Sequence, residues 1–331
     1  MDAIGNDGAQ RFPPVPDLER DLRGLIAQIP SGCVATCGAL AAALGNRIAA
    51  RWVGHFALHH IHNAACCCHR VVRAGGAIGG YVSGCVRDKA MRLIEEGVIL
   101  CDDRMDLSRF GFESFVSDRP LEVLRRVQES IQSQIVLCPR RRMPKLVGAV
   151  DVAYPNAEEG MAAYALVETE TKTLAWSATV RRRVTFPYIT SYLSFREIPI
   201  LLDLLDEVRA AGRMAEVLLV DGSGVLHQRH AGIASHLGVI ESVPTIGITK
   251  KLLCGQVDLK GMAAGESRQV VHEGQPIGAA LRPTAGSLRP IFVSPGHQVD
   301  LAFAERLVRL LLTGRRLPEP LYWADRLSRS L

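Results

Sequence analysis

The second half of the chain alternates between apolar strand-like runs and helices, and this order constrains the fold more than any other feature. "KLVGAVDVAY" is rich in apolar and β-branched residues, and "AAYALVETETKTLAWSATVRRRV" predicts two strands around a turn at "ETETKT". "SFREIPILLDLLDEVRAAG" predicts a helix with Ser194 as its N-cap and Gly212 as its stop. The runs "AEVLLVDGSG" and "PTIGITK" predict two more strands. The predicted order is β-β-β-α-β-α-β, which indicates an α/β domain.

The first part of the chain predicts a separate, mostly helical domain. "DLERDLRGLIAQI" has apolar residues at helical spacing, and "TCGALAAAL" follows with Thr36 as an N-cap. After a turn at Gly45, "RIAARWVGHFALHH" predicts another helix. Two helices joined by such a turn are typical of a helix-turn-helix, and equally of an ordinary helical hairpin.

The length of 331 residues exceeds what one hydrophobic core usually covers. Composition changes in the polar stretch "CDDRMDLSRFGFESFVSDRP", at residues 101–120. We therefore predict a first domain over residues 1–105, a linker over 106–118 and a second domain over 119–331.

Composition excludes several classes of protein. The chain has nine cysteines, an odd number, and seven of them precede residue 102, which argues against a disulfide scaffold. The net charge of +5 is compatible with a nucleic-acid partner and equally with an ordinary solvated surface. Apolar runs stay short of the roughly 20 residues that a membrane span needs, and the N-terminus lacks the pattern of a signal peptide. We expect a cytoplasmic protein, with no membrane contact, that is a monomer.

Three carboxylates in the second part stand where burial is expected. Asp151 interrupts the strand "GAVDVAY", Asp221 ends the strand "LLVDGSG", and Glu197 lies in the helix "SFREIP". A buried carboxylate is costly unless it is paired or binds a metal ion. If the two strands are neighbours, their carboxylates converge at the sheet edge, and the helix can add the third. Such a set suits Mg²⁺, with Mn²⁺ as an alternative. A capping box at Glu197 and a turn at Asp221 are the simpler alternatives.

Five motifs in the second part carry a family resemblance. "GAVDVAY", "FPYITSYLSFREIP", "LLVDGSGVLHQRHAGIASHLGV", "PTIGITKKLL" and "VSPGH" occur in this order over residues 119–331, which resemble endonuclease V. The resemblance implies a ribonuclease H-like fold. It also implies Mg²⁺-dependent nicking of damaged double- or single-stranded DNA at the second phosphodiester 3′ to a deaminated base such as deoxyinosine. Inosine in RNA is the alternative substrate.

The same resemblance implies roles for single residues by their motif positions. It assigns the metal to the three carboxylates above, and it places Lys250 and His297 beside the metal and the scissile phosphate. Tyr188, in "FPYI", would be the wedge that enters the duplex beside the lesion, which suits an aromatic side chain on a proline-shaped loop. Gly222 and Gly224 flank a turn where the backbone would approach a flipped base closely.

The first part contains "AACCCHRVV", with three consecutive cysteines at 66–68. Together with "IPSGCVATCGALAAALGNRIAARWVGHFALHH" and "RAGGAIGGYVSGCVRDKAMRLIEEGV", this stretch resembles the active-site domain of O6-alkylguanine-DNA alkyltransferases over residues 17–98. The resemblance implies that Cys68 accepts the alkyl group once per molecule, without a cofactor. It also implies that His69 relays the thiol proton through water and that Glu96 orients His69.

The same resemblance places Arg51 in the base stack and Tyr81 in the wall of the base pocket. Two alternatives stay open for this domain. Zinc could bind Cys33, Cys37, the cysteines at 66–68 and the neighbouring histidines. The domain could also bind damaged DNA without transfer and direct the nuclease to it, because Cys37 replaces the tyrosine that relatives carry.

Overall fold

The structure is a computed structural model that describes residues 11–63, 65–156, 158–284, 286–287 and 289–330. The expectation that no signal peptide begins the chain falls mainly on residues 1–10, outside these ranges. Within the described ranges, no helix is both long and apolar enough to cross a membrane.

The described residues form two compact units. The N-terminal unit comprises residues 15–126 and 186–192, and the C-terminal unit comprises 11–14, 127–185 and 193–330. The boundary therefore lies within a helix, and the segment that carries the predicted wedge tyrosine belongs to the N-terminal unit. The predicted linker at 106–118 also lies in this unit and contains a short helical turn. The domain limits drawn from the sequence stay a prediction.

The helices follow the sequence periodicity closely. Their bounds are α1 Leu18–Ala27, α2 Cys37–Ala43, α3 Ala50–His59, α4 Val86–Glu95, α5 Leu107–Phe110, α6 Pro120–Gln132, α7 Leu193–Ala210, α8 Ile233–Glu241, α9 Leu301–Leu310 and α10 Glu319–Ser328. The strands are β1 Ala35–Thr36, β2 Val71–Val72, β3 Leu146–Ala153, β4 Glu159–Glu168, β5 Leu174–Arg183, β6 Val217–Asp221, β7 Thr245–Thr249, β8 Ser267–His272, β9 Gln275–Leu281 and β10 Ile291–His297.

The N-terminal unit contains the predicted pair of helices α2 and α3. The side chain of Thr36 accepts a hydrogen bond from the amide of Ala39, so it caps α2 as predicted. Gly45, at φ +103°, opens the turn between the helices, where a Cβ atom would lie 2.6 Å from the amide nitrogen of Glu122. Strands β1 and β2 pair in parallel and bring the segment before α2 beside the segment that follows the cysteines.

The C-terminal unit is built on one eight-stranded sheet in the order β5-β4-β3-β6-β7-β10-β9-β8. Strands β3, β6 and β7 are parallel, and antiparallel strands extend the sheet on both sides. The observed order β3-β4-β5-α7-β6-α8-β7 confirms the predicted β-β-β-α-β-α-β series, and the architecture is the expected α/β, ribonuclease H-like fold. Helices α9 and α10 complete the core against β3, β6, β7 and β10.

The prediction that Ser194 caps a helix is wrong. Helix α7 already begins at Leu193, so Ser194 is a buried residue within its first turn. Its hydroxyl accepts a hydrogen bond of 3.1 Å from the amide of Gln128. Because the hydroxyl is engaged with another element, Glu197 is not the partner of a capping serine. At the other end, Gly212 adopts a φ of +67° just after the helix, as expected of a stop.

Two candidate catalytic sites

Asp151 and Asp221 meet because their strands are parallel neighbours. Val150 of β3 pairs with Val220 of β6, so the acid that follows each valine reaches the same end of the sheet. Asp151 is buried, at 7% exposure. The convergence predicted from two apolar strands with acids is therefore present.

A third carboxylate, which the sequence did not indicate, completes this cluster. Asp325 of α10 has a carboxylate oxygen within 4.8 Å of those of Asp151 and Asp221. One turn later on α10, Ser328 donates a hydrogen bond of 2.5 Å to Asp151 Oδ2. Helix α10 is amphipathic, and an aspartate on its polar face is ordinary in sequence. Only the packing of the helix over β3 gives Asp325 a role.

Glu197 approaches the pair of aspartates from α7. It is buried, at 7% exposure, and Tyr154 donates a hydrogen bond of 3.3 Å to its Oε1. Burial raises the pKa of Glu197 well above its usual value, and the charges of Asp151 and Asp221 raise it further. Glu197 therefore feels the charges of both aspartates, but among the described residues it is not in the group of carboxylates that lie within 4.8 Å of one another. Its implied role as a metal ligand stays a prediction.

The negative charges of this site favour the binding of a cation. Burial raises the pKa of Asp151 to about 7, and the neighbouring Asp221 adds to the shift. Lys250 Nζ donates hydrogen bonds of 2.9 Å both to Asp221 Oδ2 and to Asp325 Oδ1. Burial opposes the charged form of Lys250, but these two carboxylates outweigh it and raise the pKa of Lys250. A set of carboxylate oxygens this close fits a hard divalent ion, so the residues present suit the metal that the family resemblance implies.

His297 does not join the carboxylates. It stands opposite Thr245 at the start of β7, whereas Asp221 stands opposite Ile248, three residues further along that strand. Three residues of strand span roughly 10 Å. The ring of His297 accepts a hydrogen bond of 3.3 Å from the amide of Val136, and the residue is buried. The structure thus gives His297 a packing environment at the other end of the strands.

The space beside Gly222 and Gly224 is filled by the protein itself. A Cβ atom at Gly222 would lie 2.0 Å from Ile233 Cγ2, and one at Gly224 would lie 2.0 Å from the carbonyl oxygen of Pro295. Both glycines are therefore required by close packing around the end of β6. Their predicted approach to a flipped base stays a prediction.

Tyr188 is presented to solvent. Its exposure is 68%, while Phe186 and Ile189 on either side are each 2% exposed. Two buried anchors thus hold an exposed aromatic ring in a short loop of the N-terminal unit. This arrangement suits a side chain that inserts into a stack of bases.

The second site surrounds Cys68 in the N-terminal unit. Cys68 is 2% exposed and lies in a short 3-10 turn, Cys68–Arg70. Its Sγ lies 3.5 Å from Nδ1 of His62, a residue that the sequence did not single out. Burial raises the pKa of Cys68 to about 12, and the neighbouring Cys66 contributes in the same direction. The thiol therefore keeps its proton at neutral pH until a base or a cation removes it.

His69 and Glu96 form the predicted pair. His69 Nε2 lies 2.8 Å from Glu96 Oε1, and Arg70 donates hydrogen bonds of 2.6 to 3.1 Å to the same carboxylate. Burial opposes the charge of Glu96, but the hydrogen bonds from Arg70 and His69 outweigh it and hold the pKa of Glu96 at about 2. Burial lowers the pKa of His69, so its ring is neutral near pH 7. Among the described residues its Nδ1 is buried without a hydrogen-bond partner, which leaves this atom available as a base.

A cavity of about 520 Å³ opens beside this site. Its lining residues are His62, Tyr81, Val82, Ser83, Asp88, Met91, Arg92 and Glu95. Tyr81 is buried, and its ring meets that of His62 edge-on at 5.9 Å. Tyr81 therefore lines this cavity, and its role in the wall of a base pocket stays a prediction. Arg51 is exposed at the start of α3, on the second helix of the predicted DNA-binding pair.

One residue outside the predicted set, Lys89, also supports this pocket. Lys89 is buried and its Nζ donates to the carbonyl oxygens of Val71, Ile78 and Gly80, at 2.6, 2.7 and 3.1 Å. Burial lowers the pKa of Lys89 to about 8. The lysine ties the strand after Cys68 to the turn before Tyr81. A lysine within a charged helical segment gives no sequence signal of this role.

Comparisons with known proteins match both parts of the chain. The family model for endonuclease V matches residues 129–326, and the model for the DNA-binding domain of 6-O-methylguanine DNA methyltransferase matches residues 17–98. A bifunctional methyltransferase/endonuclease of Picrophilus torridus is 31% identical over 298 residues, which cover 89% of this chain and 90% of that protein. Endonuclease V of Azotobacter vinelandii is 40% identical over 210 residues, which cover 62% of this chain and 91% of that protein.

Solved structures give the same result for the C-terminal unit. The catalytic domain of human endonuclease V is similar with a TM-score of 0.61 and 31% identity, covering 65% of this chain and 96% of that one. Ciona intestinalis endonuclease V, in complex with DNA that contains an inosine followed by a ribo-adenosine, has a TM-score of 0.59 and 28% identity over 64% of this chain and 97% of its own. The chain therefore belongs to the endonuclease V family and carries a 6-O-methylguanine DNA methyltransferase DNA-binding domain before its endonuclease V domain.

Proposed function

We propose that the protein is a DNA repair enzyme with two activities. The C-terminal unit would nick DNA at the second phosphodiester 3′ to a deaminated base such as deoxyinosine. The N-terminal unit would transfer an alkyl group from O6-alkylguanine in DNA to Cys68. The observation that carries the first activity is the convergence of Asp151, Asp221 and Asp325 around Lys250.

The carboxylate cluster supports hydrolysis of a phosphodiester. Asp151, Asp221 and Asp325 would hold Mg²⁺, or Mn²⁺ in its place, with Glu197 beside them. When bound, the ion supplies charge stabilisation at the phosphate and lowers the pKa of a water molecule. Lys250 would then keep its bond to Asp221 and offer its ammonium to a phosphate oxygen. Burial raises the pKa of Glu197 and the charges of Asp151 and Asp221 raise it further, so a cation held by the cluster would favour its ionised form.

Tyr188 supports recognition of a base that leaves the stack. An exposed ring between two buried anchors can fill the gap beside a displaced base at small entropic cost. The resemblance assigns it this role, and the solvent exposure of the ring is what such a role needs.

The endonuclease is tested by cleavage of labelled strands that contain one inosine. We expect wild-type protein with Mg²⁺ to nick a deoxyinosine duplex, and Asp151→Ala to lose at least about 100-fold in rate, as for a residue that holds a catalytic charge. Glu170→Gln, which removes an exposed carboxylate in the β4–β5 turn, is the matched control and retains the wild-type rate. An RNA strand with one inosine, cleaved in parallel, decides between DNA and RNA. Failure of folded wild-type protein to cut either strand would refute the proposal.

The Cys68 site supports alkyl transfer. In this reaction the Cys68 sulfur forms a bond to the alkyl carbon while the bond from that carbon to guanine O6 breaks, and the electron pair stays on the base. The thiol proton would pass through water to His69 Nδ1, which is neutral and unpaired among the described residues. The ring of His69 is oriented by Glu96. The adjacent cavity is large enough for a nucleobase, and Tyr81 and Arg92 line it.

Mass analysis of the Cys68 peptide tests this second activity. After incubation with an O6-methylguanine oligonucleotide, we expect the peptide to gain the mass of one methylene. An unmodified peptide despite tight binding of the oligonucleotide would show that this unit binds damage without transferring it. The replacement of the usual tyrosine by Cys37 favours that second function.

A further inference from the structure

Four side chains form a compact cluster around the sulfur of Cys68. We name His60, His62, Cys66 and Cys68 the His/Cys cluster. One nitrogen or sulfur atom from each lies within 4.8 Å of those of the other three. His60 and Cys68 are buried, and His62 and Cys66 are half-buried. Helix α3 ends at His59, three members of the cluster follow it, and Cys68 begins the 3-10 turn.

The separations within the cluster are those of ligands around one ion. His60 Nε2 lies 3.2 Å from Cys66 Sγ, and His62 Nδ1 lies 3.5 Å from Cys68 Sγ. In a tetrahedral zinc site, bonds of ~2.3 Å to sulfur and ~2.0 to 2.1 Å to nitrogen place neighbouring ligand atoms about 3.5 Å apart. The separation of His62 Nδ1 and Cys68 Sγ therefore matches an edge of that tetrahedron, and that of His60 Nε2 and Cys66 Sγ is slightly shorter.

His60 is held in the orientation of a metal ligand. Its Nδ1 lies 2.9 Å from the carbonyl oxygen of Phe56, and its ring stacks on that of Phe56 at 5.1 Å. A carbonyl oxygen can only accept, so Nδ1 carries the proton and the lone pair of Nε2 faces Cys66. Fixing of the tautomer by a backbone carbonyl is a regular feature of histidines that bind metal.

We propose that the His/Cys cluster binds one Zn²⁺ ion in tetrahedral geometry. Two thiolates and two imidazoles are the donor set that this ion prefers. The two thiol protons are released to solvent on binding. The charges of two thiolates then balance the charge of the ion, which permits burial. Cys67 takes no part, because its Sγ faces the carbonyl oxygen of Ala65 at 3.7 Å.

This site differs from the zinc alternative drawn from the sequence. That alternative used Cys33, Cys37, all three consecutive cysteines and the neighbouring histidines, and adjacent residues do not easily reach one ion. The structure instead selects Cys66 and Cys68, with one residue between them, and two histidines with the same spacing, His60 and His62. Because Cys68 is also the proposed alkyl acceptor, the same sulfur would serve as ligand and nucleophile. With zinc bound this sulfur is already a thiolate, so the proton transfer to His69 belongs to the metal-free protein.

Metal content and cobalt absorption test the site without any assay of alkyl transfer. Full-length protein is dialysed in excess Mg²⁺, which occupies the carboxylate cluster, and its zinc is then measured by mass spectrometry. We expect one zinc per chain. Replacement by Co²⁺ should give a thiolate-to-cobalt charge-transfer band in the near ultraviolet. The carboxylate cluster has no thiolate and cannot produce this band.

Matched variants assign the ligands. Cys66→Ser and His60→Ala should each lose most of the bound zinc and the cobalt band, while Cys67→Ser should keep both. Deoxyinosine nicking by each variant reports that the rest of the chain is folded. In wild-type protein, zinc should slow the modification of Cys66 and Cys68 by iodoacetamide and leave that of Cys67 unchanged, a result that needs no variant. Wild-type protein without zinc and without the band, equal loss in Cys67→Ser, or a disulfide between Cys66 and Cys68 would overturn the proposal.

Discussion

Lys250 Nζ donates a hydrogen bond of 2.9 Å to Asp221 Oδ2. The same ammonium donates an equal bond to Asp325, so one lysine is the shared counter-charge of two of the carboxylates that would hold a metal ion. The stability of the C-terminal unit should therefore depend on Lys250 and on any metal ion that these carboxylates bind.

Replacement of this lysine should weaken the metal-free protein. In Lys250→Met the carboxylates of Asp221 and Asp325 lose their shared counter-charge. Removing one partner of a fully buried pair costs about 3 to 5 kcal/mol. Because one third of the Lys250 side chain is exposed, we expect a loss of about 1 to 2 kcal/mol. Denaturant unfolding with EDTA measures this, and an unchanged midpoint would show that the ion pair does not contribute.

Addition of Mg²⁺ should stabilise the C-terminal unit. An ion that binds only the folded state adds about 2.7 kcal/mol at 100 times its Kd, which raises the unfolding temperature by roughly 5 °C or more. The rise should depend on concentration, and Asp221→Asn should largely remove it. Glu170→Gln is the control, since its carboxylate lies on an exposed turn. A rise of equal size in Asp221→Asn would place the bound ion elsewhere.

Strand pairing explains why the sequence predicted part of this site and missed the rest. An acid in an apolar strand is conspicuous, and parallel neighbours bring Asp151 and Asp221 together without further information. The sequence does not distinguish Asp325 in this way, because an aspartate on the polar face of an amphipathic helix is common. Strand β10 runs antiparallel to β7. His297, at the end of β10, therefore lies beside the start of β7 and away from Asp221. The motif "VSPGH" alone does not reveal whether its strand runs parallel or antiparallel to β7.

Loop geometry limited the prediction at Cys68 in a similar way. The resemblance identified His69 and Glu96, and the structure brings their side chains to 2.8 Å. Contact between Cys68 and His62 depends instead on how the chain turns after α3 ends at His59. Helical periodicity describes the residues before that end and carries no information about those beyond it.

The pKa of Glu96 predicts a loss of stability in acid. Its pKa is about 2 in the folded protein against an ordinary value of 4.5, so its ionised form favours folding. This contribution is complete above pH of about 4.5 and is lost as the pH falls towards 2. By linkage it amounts to roughly 2 to 3 kcal/mol, and Glu96→Gln should remove it. The difference in unfolding free energy between wild type and variant should be large at pH 6.5 and smaller at pH 3.5. An equal difference at both pH values would show that it does not arise from the lowered pKa of Glu96.

Tyr188 should matter for duplex cleavage and hardly at all for stability. Its ring is 68% exposed, so Tyr188→Ala should change the unfolding free energy by less than about 0.5 kcal/mol. Loss of base stacking worth ~1 to 3 kcal/mol should slow nicking of a deoxyinosine duplex by roughly 5- to 150-fold. Tyr188→Phe should restore the rate because the ring is retained. A single strand with the same lesion has no duplex to open, so its cleavage should fall much less; equal loss on both would exclude a wedge.

The two activities should separate cleanly by mutation. Cys68→Ser removes the nucleophilic sulfur in the N-terminal unit, so we expect no methyl uptake from O6-methylguanine DNA and deoxyinosine nicking within twofold of wild type. Asp221→Asn removes a metal-binding oxygen in the C-terminal unit, so we expect loss of deoxyinosine nicking and unchanged methyl uptake. Methyl uptake is measured by peptide mass and nicking by gel electrophoresis on the same protein preparations. Nicking that also collapses in folded Cys68→Ser protein would show that the nuclease depends on the Cys68 sulfur and would contradict the separation of the two activities. Methyl uptake at Cys68 in Asp221→Asn would establish that the transfer needs nothing from the carboxylate cluster.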